Sequence, residues 1–279
     1  MMNQNKKISI ISGYSRRSRL FANKMERCLK DENFEIVSLA KKTRPDLIVV
    51  FGGDGTMIYA VRTFHKLNAP FLGINRGHLG FLMNDTEKQK KSDNQIIKEV
   101  IEKIKNKNFK TKTYPLISCK TEKKQAYVFG DLTLLNSLRR EESFQTIKLD
   151  IELDNNKLFR YSGDGLIISS SIGSTAYNLS AKGPAVHRDI DCLVVTPNNP
   201  HPSVQFRSLF FPLVLPRKTL INISVVDSKK RPAQLVTDGE NLGPVDKATI
   251  TTSNKSVRLL YLKENYIENL AKKMINPSS

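Results

Sequence analysis

Asp46-Leu47-Ile48-Val49-Val50-Phe51-Gly52-Gly53-Asp54-Gly55-Thr56 is the stretch whose reading decides the fold. An apolar run that ends in glycines reads as a buried strand entering a turn, because Gly52, Gly53 and Gly55 lack the Cβ that resists a tight bend. The strand then delivers Asp54 to an exposed edge. Residues 56–65 have helical spacing, with Thr56 as the expected N-cap. A glycine-rich turn that opens a helix presents free backbone N–H groups, which suit phosphate. A carboxylate there repels phosphate unless it takes up a proton or faces a metal. Asp54 therefore fits a general base for an attacking hydroxyl, or a ligand that helps hold Mg²⁺ between donor phosphates. Both point to phosphoryl transfer. The plain alternative is a strand-to-helix turn in which Asp54 only accepts N–H groups.

Working outward, the first third of the chain alternates strand and helix. Residues 7–12 read as a strand, Ser15 or Ser18 opens a helix with Leu20, Phe21, Met25, Cys28 and Leu29 on one side, and residues 35–39 read as a second strand. Residues 46–51 and 71–74 follow as strands. Such alternation predicts a parallel sheet with its site at the carboxyl ends of the strands. Residues 73–82, rich in glycine and holding Asn75, are expected to form a second loop on the same rim. His65 and His78 read as structural, since histidine has several common non-catalytic environments.

At 279 residues and 39% apolar content the chain can hold one large or two medium cores. No apolar run reaches the roughly 20 residues of a spanning helix. The opening MMNQNKKISI lacks the apolar core and cleavage site of a signal peptide, so a cytoplasmic location is expected. Cys28, Cys119 and Cys192 are widely spaced and odd in number, which supports neither a disulfide framework nor a zinc site. The net charge of +18 invites a nucleic-acid reading, but aromatic residues are not interleaved with the lysines. Residues 87–124 hold twelve lysines and five acids, and much of that span reads as an amphipathic helix with Ile96, Ile97, Val100, Ile101 and Ile104 on one face. The positive field is expected to attract anionic nucleotides. No nucleic-acid or membrane partner is expected.

Past Tyr114 the period changes to two. Ile147, Leu149, Ile151 and Leu153 alternate with polar residues, Asp154-Asn155-Asn156 turns the chain, and residues 192–196, 220–226 and 248–252 read as strands. The expected organisation is an α/β domain with a parallel sheet at 1–112, a mainly β domain at 113–256, and a C-terminal helix at 257–279 that returns to the first domain. A cleft between two such domains is a common place for ligands. The β domain has its own glycine cluster, with Gly163-Asp164-Gly165 followed by Gly173-Ser174-Thr175-Ala176-Tyr177. Its hydroxyls, N–H groups and aromatic face suit a nucleoside better than a metal.

With both clusters in hand, the sequence resembles the NAD kinase family. The resemblance rests on GGDGT after a strand, N-x-G-x-L-G-F-L at 75–82, DGL at 164–166 followed by GSTAYNLSAxGP at 173–184, and a late Asp238-Gly239. GGDGT alone is shared with diacylglycerol kinases, sphingosine kinases and phosphofructokinases; the four motifs in order are specific. The resemblance implies a two-domain NAD kinase-like fold and transfer of the ATP γ-phosphate to the 2′-hydroxyl of the adenosine ribose of NAD, with a divalent metal, Mg²⁺ expected, and a homo-oligomer, dimer or tetramer. It implies Asp54 as proton acceptor, Gly55 close to the dinucleotide and Phe81 near the adenine. Asp164 would bond the nicotinamide side of the NAD, and Thr175, Ala176, Tyr177, Asn178 and Ser180 would line its site.

Three stretches depart from the family pattern. Asn136-Ser137 stands where Asn-Glu is common, so Asn136 carries over and Ser137 offers a weaker acceptor to the ribose than a carboxylate would. Ser170-Ser171-Ile172 replaces T-P-T, losing a rigid proline and the hydroxyl at position 172. Residues 196–201 read TPNNPH, with Asn199 the candidate contact from a neighbouring loop. Two rivals stand beside the kinase: a diacylglycerol-type lipid kinase, which would need a greasier groove, and a non-catalytic dinucleotide sensor, which would need no acid in the glycine turn.

Overall fold

The computed structural model describes residues 6–40, 43–77, 80–85, 91–136, 146–202, 208–263 and 266–275. In chain order the elements begin β1 (Lys7–Ser12), α1 (Arg16–Asp31), β2 (Glu35–Ile36), β3 (Leu47–Gly52), α2 (Asp54–Phe64), β4 (Phe71–Asn75) and α3 (Asp93–Lys105). Next come β5 (Lys110–Thr121), β6 (Gln125–Val128), β7 (Asp131–Asn136), β8 (Ile147–Leu153), β9 (Asn156–Ser170) and α4 (Tyr177–Ser180). The chain ends with β10 (Cys192–Pro200), β11 (Leu213–Pro216), β12 (Ile221–Val225), β13 (Ala233–Thr237), β14 (Glu240–Val245), β15 (Lys247–Tyr261) and α5 (Tyr266–Ile275). Two compact units result, Met1–Tyr114 with Ser256–Ser279, and Pro115–Lys255.

The first unit is α/β. Its strands run parallel in the order β2-β1-β3-β4-β15. Residues 47–52 are buried at every position, as expected of a parallel strand covered on both faces. Val49, Phe51, Leu72 and Ile74 pack against Phe21 and Met25 of α1 and Ile97 and Val100 of α3. Gly73 points to the opposite face, where an added Cβ would meet Met57 Cε of α2 at 2.6 Å. The N-cap of α1 is Ser15, whose side chain accepts Ser18 N–H. Leu20 is not on the buried side of that helix: it is 58% exposed, because the core stripe runs through Phe21, Met25 and Leu29. The strand expected at 35–39 is shorter, pairing with β1 only at Glu35–Ile36. The aliphatic face of α3 is buried as its spacing predicts, and Ser92 with Gln95 closes a capping box at its start.

The second unit is antiparallel. Its strands run β14-β13-β7-β9-β8-β12-β15, with β10 and β11 added on β9. The two-residue period of β8 is realised, with Ile147, Leu149, Ile151 and Leu153 buried and the residues between them half-buried. Asp154 and Asn155 both have positive φ, the conformation that a two-residue hairpin loop requires. All three cysteines are free thiols. Among the described residues no helix is long and apolar enough to cross a membrane.

Candidate active site

In the first unit the site is built at the carboxyl ends of β1, β3 and β4. Gly13 N–H donates to Phe51 O at 2.8 Å and Arg76 N–H to Gly52 O at 3.0 Å, so the loops that follow the three strands share one rim. The turn is tighter than the sequence suggests. The N-cap of α2 is Gly53, with no side-chain cap, and the helix begins at Asp54, so Thr56 is not the N-cap. Thr56 instead lies under the turn: a Cβ on Gly52 would stand 2.3 Å from its Oγ1. Only glycine lets the backbone pass that close.

Asp54 is half-buried in the first turn of α2, where the helix dipole favours negative charge. Its two carboxylate oxygens accept backbone N–H bonds, from Phe81 at 2.8 Å and Leu82 at 3.0 Å. The first and second motifs are therefore hydrogen-bonded to each other. Gly80 permits this, since a Cβ there would fall 2.2 Å from Asp54 Oδ1. Phe81 is buried, its ring 5.8 Å from that of Tyr266 in α5. Gly55 is exposed, with nothing within 4 Å of where its Cβ would stand.

The second loop is held by residues whose roles were not read from the sequence. Asn84 is buried with its amide satisfied: Nδ2 donates to Gly73 O at 2.8 Å and Leu260 O at 3.0 Å, and Oδ1 accepts Leu262 N–H at 2.7 Å. Asn75 Oδ1 accepts Gly77 N–H at 3.1 Å, an Asx turn that starts the loop. Arg76 is buried over the Phe21 ring at 3.4 Å and paired with Asp93 at 3.2 Å. Apart from the Asx turn, these roles depend on contacts 11 to 178 positions apart, which residue spacing does not reveal. His65 turns Nδ1 toward the carbonyls of Val61 and Arg62 at the end of α2, a structural place. His78 and Ser137 lie outside the described residues.

In the second unit, β9 carries Gly163-Asp164-Gly165. A Cβ on Gly163 would sit 2.1 Å from Tyr161 Oη, and one on Gly165 would sit 2.8 Å from Leu134 O. These glycines serve close packing and leave the Asp164 side chain exposed between them. Asn199 Nδ2 donates to Asp164 Oδ2 at 2.9 Å, and Asn198 Nδ2 to Tyr177 Oη at 3.3 Å. The β7–β9 register ends with Leu135 opposite Gly165, so Asn136 follows the last paired residue of β7 and Asp164 adjoins that of β9. Asp164, Asn199, Tyr177 and Asn136 thus come from one neighbourhood. Beneath it the Tyr161 hydroxyl lies 2.6 Å from the carbonyls of Gly165 and Asn198, and burial raises its pKa so that it stays a donor.

The hydroxyl-rich turn divides into two sets. Ser170 Oγ donates to Phe129 O, Ser171 Oγ to Arg188 O and Ser174 Oγ to Ser171 O, so these hydroxyls hold the turn. Asn178 is fully buried; its Nδ2 donates to Ser174 O and Pro184 O, and its Oδ1 accepts Thr196 Oγ1 at 2.6 Å. Ile172 is buried as well. Ala176, Tyr177 and Ser180 are exposed and Thr175 half-buried, which leaves these four to meet a ligand.

The late Asp238-Gly239 joins β13 to β14 with φ of 46° and 78°. The Asp238 carboxylate accepts N–H bonds from Phe129 and Gly130, each at 2.7 Å, and from Asp131 at 3.3 Å. Burial, and then the charge of Asp238, push the Asp131 carboxyl up to about 6.

Comparison with known proteins bears on both units. The family model of the ATP-NAD kinase N-terminal domain matches residues 8–109, and that of the C-terminal domain matches residues 137–262. The chain is 35% identical over 240 residues to the NAD kinase of Clostridium tetani, covering 81% of this chain and 79% of that protein. Among solved structures, yeast NADH kinase complexed with NADH superposes with a TM-score of 0.80 at 23% identity, covering 99% of this chain and 89% of the other. An NAD kinase from Archaeoglobus fulgidus in complex with ATP gives 0.74 at 22%, covering 96% and 98%.

Proposed function

The chain belongs to the ATP-NAD kinase family, and on that premise we propose that it transfers the γ-phosphate of ATP to the 2′-hydroxyl of the adenosine ribose of NAD, yielding NADP and ADP. The observation that carries this reading is the placement of Asp54: an acid on a glycine turn at a helix N-terminus, its carboxylate fixed by the amides of Phe81 and Leu82. Each oxygen accepts one N–H and keeps a lone pair, so the group stays competent to take a proton. In the transfer the 2′-oxygen bonds to the γ-phosphorus, the bond from that phosphorus to the bridging oxygen breaks, and the hydroxyl proton passes to Asp54.

Gly55, with open space above it, lets the dinucleotide approach the turn, and Phe81 supports the adenine end. In the second unit Asn136 and Ser137 serve the ribose, Asp164 the nicotinamide side, and Thr175, Ala176, Tyr177 and Ser180 the walls of the dinucleotide site. Asn178 acts beneath that surface by fixing the turn, and Asn199 orients Asp164. Among the described residues no three His, Cys, Asp or Glu side chains gather as a metal cage. Mg²⁺ is ordinarily held by one or two carboxylates together with substrate phosphates, a pattern that Asp54 on its phosphate-suited turn fits. When bound, the cation neutralises charge on the donor phosphates. A cytoplasmic location and a homo-oligomeric state belong to the same reading.

The test is NADP formation from ATP, Mg²⁺ and NAD, read with an NADP-specific dehydrogenase, for wild type beside Asp54→Asn. General-base loss predicts a fall in kcat of about 10² to 10⁴. Because an Asn side chain turns one acceptor into a donor facing a backbone N–H, the variant also loses a loop hydrogen bond. NAD binding and the melting temperature are therefore measured alongside. Retained turnover in Asp54→Asn would remove the residue from the role of base, and no NADP from a wild type that still binds NAD would favour the sensor.

A further inference from the structure

The other end of the parallel sheet in the first unit holds a cavity of about 740 Å³. It opens where β1, β3 and β4 begin, at Lys6, Asp46 and Pro70, whereas Asp54 lies where these strands end. Its size falls in the range of small-molecule sites, roughly 300 to 1,000 Å³. The floor is apolar: Ile8, Leu47, Ile104 and Leu260 are buried core residues, with Phe109 packed against them.

The rim is basic. Lys6, Lys105, Lys107 and Arg258 line it against one carboxylate, Asp46. Lys105 is paired with Glu32, while Asp46, which accepts the backbone N–H of Lys7 at 2.8 Å, keeps its charge; Lys6, Lys107 and Arg258 outnumber it and so set the sign of the opening. Two of these cations are fixed in place. Lys6 Nζ donates to Ile104 O at 3.1 Å, and Arg258 Nη2 to Asn68 O at 2.9 Å. Burial lowers the pKa of the Lys6 ammonium and the Lys107 charge lowers it further, with Asp46 offsetting part of the shift; an anion between the two lysines would relieve the repulsion that is left.

Lys107 itself stands in an unfavourable backbone conformation. The end of α3 is a Schellman motif, with Asn108 N–H donating to Lys103 O and Lys107 N–H to Ile104 O. Lys107 is the residue in the left-handed region, φ 51°, where glycine is the ordinary choice. The motif also occupies carbonyls at the helix end that would otherwise repel an anion. A strained position that carries a cation to the mouth of an apolar cavity is a reason to look for a ligand.

We propose that this cavity binds a small amphipathic anion, with its apolar body on Phe109 and the accessible edges of Leu47 and Leu260, and a single carboxylate or sulfonate head against Lys6, Lys107 and Arg258. The proposal is independent of the phosphoryl-transfer reading. Anilinonaphthalene sulfonate is the probe, titrated by fluorescence into the full chain with ATP and NAD at saturation, and octanoate is the competitor.

One-to-one binding in the micromolar range, displaced by octanoate, is expected. Lys107→Glu should weaken it about tenfold. Lys107→Gly should weaken it while raising the melting temperature, which separates loss of the site from loss of the fold. Lys24→Glu, on the exposed side of α1, should leave it unchanged. Absence of binding, a Lys107→Glu affinity equal to wild type, or equal weakening by Lys24→Glu would each overturn the assignment.

Discussion

Gly80 has no side chain because the Asp54 carboxylate occupies the space where one would stand, 2.2 Å from the missing Cβ. The amides of the next two residues fix both Asp54 oxygens, so a methyl group at position 80 would displace the acid rather than merely crowd it. Gly80→Ala is therefore expected to lower kcat by about 10² with little change in NAD affinity, since a misplaced group of this kind typically costs that factor. Equal kcat in the variant, measured by NADP formation, would show that the loop adjusts. Asp131 gives a residue-scale prediction of a different kind. Its carboxyl is raised from the ordinary 3.8 to about 6, so between those values the folded chain holds more protons than the unfolded one. Stability then falls as pH rises through that window, and neutral pH carries the cost of ionising Asp131 beside Asp238. Asp131→Asn should be more stable than wild type at pH 7 by about 1 to 2 kcal/mol, discounted for partial exposure, with the difference closing toward pH 4. Urea melts at the two pH values measure it, and a constant difference would contradict the coupling.

Two elements owe their shape to one residue each. The loop after β4 is tied by Asn84, which bridges Gly73, Leu260 and Leu262 and so joins the loop to two strands of the first unit. Asn84→Ala removes the side-chain donor to Leu260 O and the acceptor of Leu262 N–H in a buried place, while Gly73 O keeps the backbone N–H of residue 84, a loss of about 2 to 4 kcal/mol. Because the same loop supplies the Phe81 and Leu82 amides, turnover should fall at temperatures well below the melt; activity that tracks the folded fraction alone would deny the link. The end of α3 shows the opposite case, a residue that costs stability. Lys107→Gly relieves a left-handed backbone position and should stabilise the chain by about 0.5 to 1 kcal/mol in denaturant melts. Neither effect is legible in sequence. The burial of β3 and the faces of α1 and α3 follow from local periodicity, but the partners of Asn84 lie 11, 176 and 178 positions away. The start of α2 was misread for a related reason. Thr56 has the chemistry of an N-cap, yet the close approach of Gly52 and Gly13 to its side chain moves the helix start to Asp54.

At the scale of the whole molecule, the division between a parallel and an antiparallel unit was legible because the hydrophobic period changes near Tyr114, from helical to two. From the residue pattern alone, candidates were legible where glycine and acid occur together, although Asp238 beside Gly239 shares that pattern and is bonded to backbone amides. Asp54 and Asp164 stand out in that way, whereas Ser170, Ser171 and Ser174 have ligand-like chemistry and are bonded to backbone instead. What sequence reports without any fold is charge. An excess of 18 positive charges produces a field that acts beyond any single contact, and both proposed substrates are anions. Steering of this kind affects encounter more than chemistry, so it should appear in kcat/KM and leave kcat nearly unchanged. Raising ionic strength from about 50 to 300 mM shortens the screening length from roughly 14 to 6 Å, which should lower kcat/KM for NAD several-fold. Potassium chloride at fixed free Mg²⁺ isolates the effect. If kcat/KM stays flat, the positive charge is a solvated face without kinetic consequence; if kcat falls instead, salt is acting on the bound state.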